Sequence, residues 1–393
     1  MKKETLLLLT LALAVFAVIT TELAIIGLLP QLARQLQVSP TEVGLLVSLY
    51  AVVVAVTGPF VTLLMSGWNK KRVLLSIMLI FVVSNLFNAY TDSYSTMLIF
   101  RVVPALVHAV FFAVALVVAV NSVSAEKSAG ATAKVFAGVA VGLVLGVPLS
   151  AFMADHVSLA AAFLFGAVTS GLAFVGILLL MPSIPIQKKM SFKSQLKILK
   201  QGPVWLSLST VVFVFATMFS GYSFIAEYLE GVTHMNGTWV SAMLMAFGVF
   251  GFFGNFLFSA WLQKNAIRTT LIYPLLYIGI YVLVYCLGGS FSAMVLLTLL
   301  WGLLHSAGLV ISQSWLMRDA SEAPEFANSL YISFSNLGIT LGASLAGWVI
   351  ASLGTHNLVW SSIIFAALAL LSIVAKLSLY GKGQASSAPA LAH

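Results

Sequence analysis

The chain has 393 residues, of which 61% are hydrophobic and only 8% charged, and its mean hydropathy is +1.08. Soluble domains carry roughly a quarter charged residues, so a soluble core is excluded and an all-α polytopic membrane protein is expected. The formal charge of +8 sits in short loops and reads as a topology signal, not as a nucleic-acid surface.

Apolar stretches long enough to cross a ~30 Å hydrocarbon core recur twelve times, at 5–29, 43–65, 73–90, 97–121, 131–154, 159–181, 204–228, 238–261, 269–287, 293–316, 327–350 and 359–380. They are continuously apolar, without the alternation of a membrane β-barrel. The first run is longer than a signal-peptide core and holds Glu22 in place of a small-residue cleavage site, so it reads as a retained helix. A carboxylate at that depth is costly unless paired, hydrated or protonated. Glu22 stands about 17 residues, or ~25 Å, from the inner end of its helix.

The second helix leads into a basic loop, Lys70-Lys71-Arg72. In the fourth helix, Arg101 lies near the outer end, in the same half of the membrane as Glu22. Pairing would favour the charged acid and desolvation the neutral one. Glu22 is therefore the expected proton-coupling acid, with Arg101 biasing its protonation; a static structural pair is the alternative. His108 is either a proton relay, a substrate contact or a hydrogen-bonding packer. Along the fifth helix Gly138, Gly142 and Gly146 recur every four residues, which lets another helix approach closely, and Pro148 bends the chain beyond them. These four residues and the basic loop are expected to serve conformational switching.

A lysine-rich linker, 182–203, separates an N-terminal bundle, 1–181, from a C-terminal bundle, 204–380, with a flexible tail at 381–393. From Ser191 to Lys200 the linker places Phe192, Leu196 and Leu199 on one face, as a short helix lying on the membrane would, or else it is a solvated connector. The two halves hold six helices each, the outline of a duplicated transporter with its site at the interface. In the second half Tyr222, Glu227, Asn255, His305, Gln313 and Asn336 are the polar candidates for substrate binding. Glu227 could instead face bulk water, and the amides could tie helices together. The one cysteine, Cys286, excludes an internal disulfide. No phosphate loop, zinc spacing or nucleophile elbow occurs, so no metal or cofactor is expected, and the energy is expected from an ion gradient, a proton gradient first, or from the substrate's own.

Several motifs together resemble the major facilitator superfamily, in its twelve-helix drug:proton antiporter branch, and bacterial sugar-efflux, arabinose-efflux and purine-efflux transporters in particular. They are Thr20-Thr21-Glu22 with Gly27-Leu28-Leu29-Pro30 in helix 1, and Arg101, Ala105, His108, Ala109 and Phe111 in helix 4. Helix 5 adds Leu145-Gly146-Val147-Pro148-Leu149, helix 10 Trp301-Gly302, and helix 11 Asn336, Gly338 and Gly342. The resemblance covers residues 5–380 and implies two pseudo-symmetric six-helix bundles. Two departures stand out. Ser66 occupies the acidic position of the loop after helix 2, and Leu159-Ala160 replaces a Trp-Arg pair after helix 5.

The expected function is a secondary active transporter, a proton-coupled efflux antiporter for a sugar, nucleoside or drug. An importer or facilitator of the same fold is the alternative, and a non-transporting receptor or scaffold the alternative of another class. Its partners are then a small-molecule substrate, protons and the lipid bilayer, with no nucleic acid, and the protein is expected as a monomer. With the N-terminus inside, 17 of the 19 basic residues fall on the inner side. That bias predicts a bacterial plasma-membrane protein with both termini cytoplasmic.

Overall fold

A chain crossing a bilayer must satisfy its own backbone polar groups, and helices do so within one segment. In the computed structural model, which describes residues 3–38, 40–183 and 195–384, twelve helical spans are long and apolar enough to cross a membrane. In chain order the helices of the first half are α1 Lys3–Leu36, α2 Pro40–Met65, α3 Lys70–Tyr90, α4 Tyr94–Asn121, α5 Ser128–Val141, α6 Val147–His156 and α7 Leu159–Leu180. Those of the second are α8 Gly202–Tyr222, α9 Ile225–Gly231, α10 Gly237–Lys264, α11 Ala266–Leu287, α12 Phe291–Met317, α13 Pro324–Leu353 and α14 Leu358–Gln384. α5 and α6 make one span through a π-helical turn, Gly142–Gly146, and α8 and α9 make another.

Most spans run one to three residues past the expected bounds, and four differences change how the chain is placed. α1 does not stop at residue 29 but continues helical to Leu36. The basic cluster is not loop: Lys70 opens α3, and Asn69 caps that helix by accepting from the backbone N–H groups of Lys71 and Arg72. The seventh span breaks at Ser223–Phe224. α14 runs four residues into what was expected to be tail. Of the expected linker helix, 191–200, residues 195–200 are described and helical, ending in a 3-10 turn at Lys197–Lys200. Residues 191–194, with Phe192, lie outside the described residues, as do 184–190, Lys2 and 385–393.

Spans 1, 4, 7 and 10 are the most enclosed, with 61–78% of their apolar windows buried against at most 50% in the others. This period of three across twelve spans is the mark of a duplicated architecture with four helices at its centre. Outward-facing side chains such as Phe60, Leu64, Leu179 and Trp348 are large, apolar and exposed, as a lipid-facing surface requires.

Packing is densest within each half. α1 lies on α5 and α7, and α2 on α4; in the second half α8 lies on α13 and α14, and α10 on α12. Across the halves α13 packs on α2 and α4, and α5 on α10 and α12. These contacts concentrate at the end of the bundle that carries the basic loops. There Lys70 pairs with Glu325 at the start of α13, Asn255 donates to the Ala133 carbonyl oxygen at 3.0 Å, and the rings of Phe136 and Tyr331 sit 6.1 Å apart.

The glycine ladder forms a seam within the first half. Gly138 faces Ala12 and Val15, Gly142 faces Ile19, and Gly146 faces Thr20, all on α1. A Cβ at 138 would run into the Ala12 carbonyl, and backbone cannot swing aside as a flexible side chain can. Gly138→Val is therefore expected to lower stability by about 1–3 kcal/mol or more, read as an earlier thermal unfolding of the purified protein in detergent.

Candidate functional site

α1 brings Thr20, Thr21 and Glu22 to the middle of the bundle. Glu22 lies 14 residues short of Leu36, or about 21 Å at 1.5 Å per residue. On α4, Arg101 and His108 are seven residues apart, two turns, and so share one face. That face meets α1 and α2.

Arg101 does approach Glu22, but through the main chain. Its two terminal nitrogens donate to the carbonyl oxygens of Thr21 at 2.6 Å and Glu22 at 2.8 Å. The guanidinium also lies over the Tyr50 ring, 4.7 Å from the centroid, and among the described residues its Nε has no hydrogen-bond partner. The Glu22 carboxylate meets a different group: its Oε2 is 4.0 Å from His108 Nε2. That is too long for a hydrogen bond and short enough for strong coupling of charge. His108 Nδ1 is held by the Tyr50 hydroxyl at 2.9 Å. Glu22, His108 and Tyr50 thus form a chain that is closed at the tyrosine, 1% exposed, and open at the acid, 15% exposed.

α3 braces this cluster. Asn85 donates to Thr21 Oγ1 at 3.0 Å and to the Phe81 carbonyl at 2.9 Å, and Gly166 on α7 leaves room for its amide. Tyr50 and Asn85 were not singled out by sequence; a polar side chain inside an apolar run was the available signal for both.

The second half presents a cavity of about 300 Å³ against the fifth span. Ala140, Leu143, Val144, Val147 and Pro148 form one wall, and Tyr222, Ser241, Leu244, Met245, Phe247, Gly248, His305 and Ser306 the other. Of the substrate candidates, Tyr222 and His305 reach it. His108 instead belongs to the Glu22 cluster. Glu227 is exposed, and the Thr355 hydroxyl donates to its Oε1 at 3.0 Å. Asn255 bridges the halves through Ala133, Gln313 donates to Asn328 Oδ1 at 3.0 Å, and Asn336 donates to the Ile332 carbonyl of its own helix at 2.9 Å.

Two buried or half-buried ion pairs at the basic end were also missed. Lys70 meets Glu325 in place of the acid that the loop after α2 lacks. Lys376 on α14 meets Asp319 at 2.5 Å, donates to Ser207 Oγ at 2.9 Å and lies 3.8 Å from the Trp315 ring centroid. Glu325 and Asp319 lie in or beside short loops, where sequence alone cannot tell a buried acid from a solvated one.

The profile of the Major Facilitator Superfamily matches residues 11–326. "Inner membrane transport protein YdhP" of Escherichia coli (strain K12) is 33% identical over 370 residues, covering 93% of this chain and 94% of that protein. A "Probable sugar efflux transporter" of Mannheimia succiniciproducens is 26% identical over 362 residues, covering 92% and 91%. Among solved structures, the human organic anion transporter MFSD10 shares the fold with a TM-score of 0.73 at 15% identity, covering 95% of this chain and 98% of that one. A bacterial homologue of the iron transporter ferroportin in an outward-facing state also gives a TM-score of 0.73, at 14% identity, covering 96% and 100%.

Arg101 ties α4 to α1 by two charge-assisted bonds, and an ammonium cannot span both carbonyls in the same geometry. Arg101→Lys is expected to cost about 1.5–3 kcal/mol, the worth of one hydrogen bond to a charged group, measured by thermal unfolding in detergent.

Proposed function

The chain belongs to the Major Facilitator Superfamily, and we propose that it is a proton-coupled exporter of small polar or amphiphilic molecules, working by alternating access. The observation that carries this reading is Glu22, a carboxylate at membrane depth, partly open, beside a buried histidine and an arginine fixed to its own helix. A static bundle gains nothing from such charges, which are expensive in a bilayer.

The proton step follows from electrostatics. While the cluster is open to water, Glu22 exchanges protons freely and the Arg101 charge favours its ionised form. Closing the bundle over it removes water and favours the neutral acid. A proton thus stabilises one arrangement of the halves more than the other, which is the differential affinity any driven conformational change needs. His108, tied to Tyr50 at one nitrogen, presents the other towards Glu22 and can accept a proton from that acid when the two close from 4.0 Å to hydrogen-bond distance, returning it to Glu22 when they part.

In this reading the basic end is cytoplasmic, as the excess of lysine and arginine there requires, and the protein lies in a bacterial inner membrane. The Lys70–Glu325 pair and the Asn255–Ala133 bond then form an inner gate, closed in this arrangement. Proton and substrate would exchange from the opposite end. Export is favoured by a relative named for sugar efflux. The gradient supplies the energy, and a single chain suffices because both halves of the site lie in it.

Two measurements test the reading. In proteoliposomes with an imposed pH gradient, Glu22→Gln is expected to abolish gradient-driven transport of sugars, nucleosides or amphiphilic drugs. Full gradient drive in that variant would remove Glu22 from the coupling step. Glu325→Gln is expected to loosen the inner gate. In a background with Cys286→Ser, a cysteine placed at the buried Ser333 should then react several-fold faster with a maleimide than in the same background with Glu325 intact.

A further inference from the structure

The two halves can be laid on each other by helix position. α2 begins at 40 and α10 at 237; α4 begins at 94 and α12 at 291. Both offsets are 197 residues. Carried across by that shift, His108 falls on His305, Tyr50 on Phe247, Glu22 on Phe219 and Arg101 on Thr298.

The correspondence is spatial as well as numerical. In the first half the Tyr50 and His108 rings are 5.7 Å apart, and Glu22 approaches the same imidazole. In the second half Phe247 and His305 are 5.1 Å apart, and Phe219 and His305 5.4 Å. One constellation has been built twice around a histidine. The second copy keeps the imidazole and the ring at the Tyr50 position without its hydroxyl, and has a phenyl ring where the first has the carboxylate and a threonine where it has the guanidinium. Tyr222 adds a third ring, 4.8 Å from His305 and 5.3 Å from Phe247. Tyr277 holds His305 Nδ1 at 3.5 Å, as Tyr50 holds His108.

Stripped of charge, this copy cannot repeat the proton step. It does open on the cavity of about 300 Å³, which Tyr222, Phe247 and His305 line. Among the described residues no charged side chain lines that cavity, so a bound ion would give up its hydration with no opposite charge to meet it, and a cation with aromatic faces alone. Its walls are mostly aliphatic and aromatic, and a free sugar would lose most of its hydrogen bonds there. A few polar groups remain: the imidazole and the hydroxyls of Tyr222, Ser241 and Ser306. Among the described residues the Tyr222 hydroxyl has no hydrogen-bond partner. The volume is at the small end of ligand sites.

From this juxtaposition we propose that the His305 constellation, the charge-free twin of the Glu22 cluster, is a substrate subsite for a neutral, flat-ringed amphiphile carrying one or two hydrogen-bonding groups. The protein then divides labour between its duplicated halves: the first copy of the site handles the proton and the second the ring. The inference rests on the transport reading above and narrows its substrate class.

Direct binding tests it without any gradient, so its outcome is separate from that of the Glu22 experiment. The purified protein in detergent is titrated calorimetrically with 2-naphthol, with the naphthyl-trimethylammonium cation and with glucose. Saturable binding of 2-naphthol is expected, with the cation and glucose at least tenfold weaker. Met245→Trp fills the cavity from a half-exposed position and is expected to weaken 2-naphthol at least tenfold. Tyr222→Phe removes one hydroxyl and should weaken it about three- to tenfold, while leaving 1-methylnaphthalene, which makes no hydrogen bond, unchanged. No binding of 2-naphthol by the wild type, preference for glucose or the cation, or unchanged affinity in both variants would each overturn the proposal. The unfolding temperature of each variant reports its folding, and the isosteric Tyr222→Phe keeps the test decisive if the tryptophan is not accommodated.

Discussion

A guanidinium deep in a lipid-embedded bundle must be satisfied, and here that requirement organises the first half. Arg101 takes two carbonyl oxygens of α1 as acceptors, so α4 cannot rotate or slide against α1 without stranding a buried charge. The same clasp sets the height of Glu22, because one of the two carbonyls is its own. Asn85 from α3 and Tyr50 from α2 fix the remaining sides of the cluster. Three helices of one bundle thus meet at a single cation, and a fourth braces Thr21, whose carbonyl that cation holds. The alternative, a direct Arg101–Glu22 ion pair, would have locked the acid in its charged form. Binding the arginine to main chain leaves the carboxylate side chain available to change its state.

How much of this was legible in the sequence depended on whether the signal was local. The spans follow from composition and helical rise, and they appear in the structure. The expected depth of Glu22 rested on a helix ending at 29, and with α1 running to Leu36 the acid stands near the middle of its helix. Arg101 and Glu22 were expected in the same half of the membrane, and they meet. Which atoms meet was not legible, since a carbonyl oxygen has no sequence identity. Tyr50, Asn85 and Glu325 were missed because their importance comes from partners 58, 64 and 255 residues away. Pro30 reads as a stop in sequence, yet α1 stays helical for two further turns, as prolines are tolerated where neighbouring helices pack. The amides of Asn255, Gln313 and Asn336 could equally have lined a cavity or joined helices, and they spend their bonds inside the protein.

Among the described residues the closure at the basic end includes weak and heterogeneous parts: an ion pair partly open to water, an amide bridge and an aromatic contact. None alone is worth much, since partly exposed ion pairs contribute little in net terms. A closure assembled this way costs little to undo. The Lys376–Asp319–Ser207 cluster differs in kind. It is buried, with both charged partners 2% exposed, and it joins elements of one half only. Breaking it would gain nothing for a rocking motion, which makes it a brace for the second bundle.

The π-helical turn at Gly142–Gly146 explains how a four-residue glycine ladder stays in line. Each α-helical step of four residues overshoots a full turn by about 40°. Two such steps would carry Gly146 some 80° off the α1 seam. A π turn is wider, at about 4.4 residues per turn, so its four residues fall short of a full turn by roughly the same amount and cancel the drift. Gly138, Gly142 and Gly146 therefore share one straight track along α1, and Pro148 is left facing the cavity. The helix that bears the acid and the helix that walls the cavity are thereby packed backbone to backbone along that track, so neither can shift across it without carrying the other.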